Sequence, residues 1–206
     1  MKKIKYWVYR TKSYVYEKTI VQAQLIDPDS HSLSSDYSNK GFRSPRQNEP
    51  YSFDLKVVYK VRKNWLQPDN YAESYGFNLY SKRLVDLMNE FGVKNETFPA
   101  KMVDEDGTGL KGLNYFVFHS LEGVQNAMDE QKSGWTGDWH VGIPTLILDY
   151  NQFEHRPIIL VDKIYVPLMR DDLKKEIERR EITGFGFLSP ERYKSGSYGF
   201  PPDFED

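Results

Sequence analysis

The stretch FNLYSKRLVDLMNEFGVKNETF, Phe77 to Phe98, reads as strand, helix, strand. Leu84, Leu87, Met88 and Phe91 recur at i, i+3, i+4 and i+7, the spacing that gathers apolar side chains on one face of an α-helix. Ser81 precedes the stripe, and its hydroxyl suits a free N–H of the first turn. Gly92 follows it, at the left-handed position where helices stop.

The later stretch VPLMRDDLKKEIERREITGFGF, Val166 to Phe187, has the same outline. Leu79, Leu84, Met88, Val93 and Phe98 match apolar residues at Leu168, Leu173, Ile177, Ile182 and Phe187. The spacing of Met169, Leu173 and Ile177 predicts a helix over about Arg170 to Glu181. Asp171 and Asp172 at its start and Arg179 and Arg180 at its end suit the helix macrodipole. The position matching Ser81 is Arg170. Both segments solve one packing problem: a helix lays an apolar stripe across a sheet, and the next strand joins that sheet. Neither holds a group poised for chemistry, so the search for function moves to the loops.

Upstream, residues 4–26 are rich in Tyr, Val, Ile and Trp, with Tyr14 and Tyr16 alternating with Val15, and read as strands, as does YSFDLKVVYKV, Tyr51 to Val61. Between them, residues 27–50 carry six serines and three prolines and read as a mobile polar loop. NYFVFH, Asn114 to His119, TLILDY, PIILVD and KIYVPL read as further strands. SLEGVQNAMDEQKS reads as a helix capped by Ser120, with Leu121, Val124, Ala127 and Met128 on one face and Glu122 and Asp129 toward solvent. The class is α+β, with a mixed, mostly antiparallel sheet, about three helices and the order β…βαββαββαβ. Residues 1–190 are expected to form one domain, and residues 191–206 a loosely attached tail.

The 206 residues carry 28 basic and 30 acidic side chains, which disfavours a dedicated nucleic-acid binder. Cysteine is absent, excluding disulfides, zinc–thiolate sites and thiol catalysis. No apolar run is long enough to span a membrane, and the basic start MKKIK is not followed by a secretory apolar segment; a cytoplasmic protein is expected. Histidines 31, 119, 140 and 155 make no helical zinc pair. DEDGTG, Asp104 to Gly109, opens like a calcium loop but has Tyr115 where the bidentate acid belongs, so it reads as a hairpin turn. There is no nucleophile elbow, phosphate loop or dinucleotide fingerprint. No cofactor or metal is implied.

The loop KSGWTGDWHVG, Lys132 to Gly142, holds two Trp within five residues. Two readings stand. Both rings fold back over the sheet as a satellite core, or they form a recognition surface in which Trp135, Asp138 and Trp139 meet a partner.

As an ordered set, several of these motifs resemble the bacterial immunity proteins of polymorphic toxin systems, particularly families eleven and forty-three. The resemblance covers roughly Gly76 to Pro190. It is carried by Ser81 with Leu84, Asp129 with Ser133, Leu148 with Asp149, and Ile182-Thr183-Gly184-Phe185 with Phe187. It implies a non-enzymatic protein that binds and blocks a cognate toxin domain, with no catalytic residue to carry over. Should that toxin be a nuclease with a basic cleft, acidic residues such as Asp104 and Asp106 would complement it. The alternatives are a small hydrolase or transferase drawing on Asp104, Asp106, His119 and Asp149, and an adaptor domain, with homodimerisation through strand edges belonging to the latter.

Overall fold

The structure is a computed structural model. It describes residues 4–198 apart from 13, 17, 18, 22, 27–49, 51–56, 65 and 72–77. The polar loop expected at 27–50 therefore lies, but for Pro50, outside the described residues. The fold is α+β, with eleven strands in two mixed sheets, a two-stranded ribbon and three α-helices among the described residues. The chain divides into two compact units interleaved in sequence. A central unit comprises Thr11–Leu121 and Ile182–Gly184, and a terminal unit comprises Met1–Arg10, Glu122–Glu181 and Phe185–Asp206.

In the central unit, β2 (Tyr14–Tyr16) and β3 (Thr19–Val21) form the ribbon. The six-stranded sheet uses β4 (Gln24–Ile26), β5 (Val57–Lys60), β6 (Asn70–Tyr71), β7 (Asn78–Ser81), β8 (Asn95–Val103) and β9 (Tyr115–Ser120). Its order is β4-β5-β8-β9-β7-β6, and only β5 and β8 run parallel. Helix α1 (Lys82–Glu90) lies between β7 and β8, as its spacing predicts. Ser81 caps it by accepting from Leu84 N–H, and Leu84, Val85, Leu87 and Met88 are buried.

One buried carboxylate organises this unit. Asp69 is 5% exposed. It accepts hydrogen bonds from the Ser81 hydroxyl at 2.6 Å, Arg83 Nε at 2.6 Å, Thr183 N–H at 2.9 Å and the Thr183 hydroxyl at 3.1 Å. Burial pushes its pKa up, but the bonds from Arg83, Ser81 and Thr183 outweigh burial and hold it below the usual carboxylate value. Beside it, Asn70 N–H donates to Thr183 O and the Asn70 side chain donates to Gly184 O. Gly184 has φ +95°, and a Cβ there would sit 2.2 Å from Asn70 O, so only glycine fits. Ser81, Thr183 and Gly184, three of the residues that carry the family resemblance, thus tie one strap of chain to the central sheet.

In the terminal unit, β1 (Tyr6–Thr11), β10 (Val124–Gln125), β11 (Ile158–Val161), β12 (Val166–Arg170) and β13 (Phe185–Leu188) form a sheet of order β10-β11-β12-β1-β13. Strands β10 and β11 are parallel, whereas β12 is antiparallel to both β11 and β1. Tyr6, Val8, Ile159, Val161, Leu168 and Leu188 belong to its core. Helix α2 is Glu130–Ser133 and helix α3 is Asp171–Arg179. α3 buries Leu173 and Ile177. Its N-cap, Arg170, makes no capping bond. Instead its guanidinium grips Asp172, whose Oδ1 accepts from Leu173 N–H at 2.9 Å.

The two strand–helix–strand segments share a topology. β7 and β8 flank β9, and β12 and β13 flank β1, so each helix joins strands separated by one intervening strand. The matched residues Leu79 and Leu168, Leu84 and Leu173, Met88 and Ile177, and Val93 and Ile182 are buried in every case.

Three expectations fail here. Residues 120–133 are not one helix: Ser120 ends β9, Val124–Gln125 pairs with β11, and α2 is a single turn capped by Asp129. Backbone oxygens that a helix would need are taken elsewhere, Gln125 O by Asp162 N–H and Ala127 O by Asp149 N–H. Glu122, expected in solvent, is buried and accepts from Arg156 Nη1 at 3.1 Å. TLILDY is no strand either, its one bridge being Leu148 with Met128. Ile147 is satisfied locally, its N–H by the Ser133 hydroxyl and its oxygen by that hydroxyl and Asp129 N–H.

Residues 191–198, expected to hang loosely, are bonded to residues 141–145. Ser195 N–H donates to Ile143 O, Ser197 N–H to Val141 O and the Thr145 hydroxyl to Glu191 O. Tyr193 packs against the core of the terminal unit.

Candidate functional site

The loop after α2 is built from its anchors outward. Asp129 caps α2 by accepting from Lys132 N–H at 3.1 Å and from the Lys132 ammonium at 2.6 Å. Those bonds hold its carboxyl below the usual value. Gly134 ends the turn in the left-handed conformation, and Trp135 N–H closes onto Glu130 O. The chain then turns through Asp138, whose carboxylate accepts from His140 N–H at 2.8 Å and whose carbonyl accepts from Gly142 N–H.

At the far end, Gly142 and Gly196 let two backbones touch. A Cβ on Gly142 would stand 2.3 Å from Ser195 O, and one on Gly196 would stand 2.5 Å from Val141 O. The loop is therefore pinned at both ends, by the α2 cap and by this crossing.

The two tryptophans behave differently. Trp135 folds back against the core of the terminal unit. Trp139 is 69% exposed, with its ring centroid 3.6 Å from that of His140. Trp135 thus takes the satellite-core position, and Trp139 stands at the surface.

Trp139 lines a cleft of about 450 Å³ with Lys163, Ile164, Tyr165 and Ser195. The middle three come from the turn between β11 and β12, closed by Tyr165 N–H on Val161 O. Lys163 has φ +68° and Tyr165 has φ +51°. A left-handed backbone costs a residue with a Cβ on the order of 1–2 kcal/mol. Tyr165 is nonetheless 61% exposed. The Lys163 ammonium is bonded to the Glu130 carboxylate. Trp139 on the pinned loop and Tyr165 on the left-handed turn place two large exposed rings at this cleft.

Asp138 sits in this loop beside Trp139, but Asp104 and Asp106 belong to the central unit. Asp104 accepts from Asp106 N–H and Thr108 N–H, closing a turn bridged by Val103 and Gly109, which is the hairpin turn expected there. His119 pairs with Glu96 on the β8–β9 ladder, seven residues along β8 from Val103. At ~3.3 Å per residue that separates it from the Asp104 turn by roughly 23 Å. Asp149 lies in the terminal unit, where it closes a turn with Asn151 and Gln152. The acid–base set of Asp104, Asp106, His119 and Asp149 therefore shares no common turn or strand end. Among the described residues, no three His, Asp or Glu side chains gather as a metal set.

Lys163, Ile164, Tyr165 and Ser195 were not legible as site residues. KIYVPL reads as a strand, and the usable signal was Asp162, a turn-forming residue between two apolar runs.

No protein-family model matches this chain, and no curated protein is significantly similar to it. No helix among the described residues is long and apolar enough to cross a membrane.

Proposed function

We propose that this chain is a cytoplasmic immunity protein that binds a cognate bacterial toxin domain and neutralises it by contact, without chemistry of its own. The observation that carries the reading is the pair Trp139 and Tyr165, exposed on backbone that is already fixed. Large aromatic side chains are the usual anchors of protein interfaces, and a surface ordered in advance loses less freedom on binding. The ordered set of motifs resembling immunity families supplies the class of partner. Asp138 beside Trp139 adds a carboxylate for a toxin whose active site is basic.

The test is co-expression with toxin domains encoded by neighbouring genes. The chain should restore growth, and a Trp139→Ala, Tyr165→Ala double variant should lose rescue while melting at the same temperature or above. Absence of rescue with every neighbour overturns the immunity reading. Full rescue by the double variant overturns the cleft as its binding face.

A further inference from the structure

We propose that the Trp139–Tyr165 cleft takes an arginine side chain of the partner, its guanidinium stacked on the Trp139 indole and its N–H fork bonded to the Glu130 carboxylate. That the partner is a toxin domain rests on the proposed function; the choice of arginine rests on the cleft itself.

Trp7 shows what this chain does with an indole inside its own fold. Lys5 Nζ stands 3.8 Å from the Trp7 ring centroid and Lys174 Nζ stands 4.6 Å from it. The negative face of an aromatic ring attracts such cations. Trp139 is 69% exposed and carries no cation over its ring among the described residues, although Lys163 lines the same cleft. Lys163 is held by the Glu130 carboxylate instead. Among the described residues the Trp139 and Tyr165 rings do not meet each other either, so both faces of the cleft are open to a third planar group.

Carboxylates supply the complementary charge. Glu130 accepts from Lys163 through Oε1, and its Oε2 has no partner among the described residues. Lys163 is the one cation of the lining among the described residues, and Glu130 balances it. The charge next to the indole in sequence is that of Asp138, which accepts from His140 N–H through Oδ1. A leucine or phenylalanine anchor would strip water from these carboxylates and give no bond in return. Arginine meets both features at once. Its guanidinium lies flat on an aromatic face while its in-plane N–H groups reach a carboxylate, which the compact ammonium of lysine does not combine.

The test is a titration of the isotope-labelled full chain with N-acetyl-arginine amide, read on the Trp139 indole N–H resonance. A Trp139→Ala variant assigns that resonance. It should shift along a saturating curve with a Kd on the order of 10 mM. N-acetyl-lysine amide and N-acetyl-leucine amide should bind at least about threefold more weakly. The Trp7 indole resonance, whose ring already faces two lysines, should stay in place. Glu130→Gln changes a side chain that is 45% exposed, and should weaken arginine amide by about threefold. No saturating shift, equal binding of the lysine or leucine amide, an equal shift at Trp7, or unchanged binding in Glu130→Gln overturns the proposal. The assay contains no toxin. Growth rescue without arginine binding would overturn this proposal alone, and arginine binding without rescue would overturn the immunity reading alone.

Discussion

Asp69 shows how a single residue converts a sequence motif into structure. Its carboxylate gathers the cap of α1, the Arg83 guanidinium and the Thr183 strap, and it is the reason Ser81 and Thr183 matter. Because its folded pKa lies below the unfolded one, its stabilisation is present above the ordinary carboxylate value of about 4 and is lost as pH falls through the folded value. Asp69→Asn should cost roughly 2 kcal/mol at neutral pH, discounted from a fully buried pair because Arg83 is half exposed. Urea titrations should show the gap from the parent chain closing below about pH 4; a gap independent of pH would mean the ionised form contributes nothing. Nearby, Gly184→Ala adds a Cβ into Asn70 O on a backbone of positive φ, and should lower the urea midpoint by an amount worth about 3 kcal/mol.

Among the elements, the β11–β12 turn carries two non-glycine residues, Lys163 and Tyr165, at positive φ. A glycine at Tyr165 would relieve the left-handed strain and remove the exposed ring together. Tyr165→Gly is therefore expected to raise stability by about 1 kcal/mol while weakening partner binding, the trade-off that marks a functional turn. Thermal melting and the growth-rescue assay read the two effects separately. A destabilised variant would show that the tyrosine holds the turn. At the same scale, α2 shows why a helical pattern can mislead. Leu121, Val124, Ala127 and Met128 fit one helix face, yet residues 124–129 place their backbone bonds in β10 and in pairing with residues 147–149.

For the whole molecule, the interleaved chain sets what each unit needs. β1 lies between β12 and β13 in the terminal sheet, so a segment from the start of the sequence forms an interior strand for elements more than 150 residues later. Removing residues 1–11 should unfold the terminal unit, because two strands would lose their ladder partner and Val8 and Tyr6 would leave the core. Limited proteolysis should then cut within 122–181. Resistance there equal to that of the intact chain would show that β1 is dispensable.

The sequence by itself determined the α+β class, the limits of α1 and α3 and their buried stripes. These depend on local spacing, caps and turn residues that act within one or two helical turns. It also marked the Trp loop as the place to look. Only the tertiary structure decided that Trp135 is core and Trp139 surface, that Glu122 is buried, and that Lys163, Tyr165 and Ser195 join Trp139 around one cleft. Those outcomes turn on contacts between residues far apart in the chain, such as the crossing of Gly142 with Gly196. Whether a side chain is covered depends on what another segment brings to it, and periodicity along one segment carries no record of that.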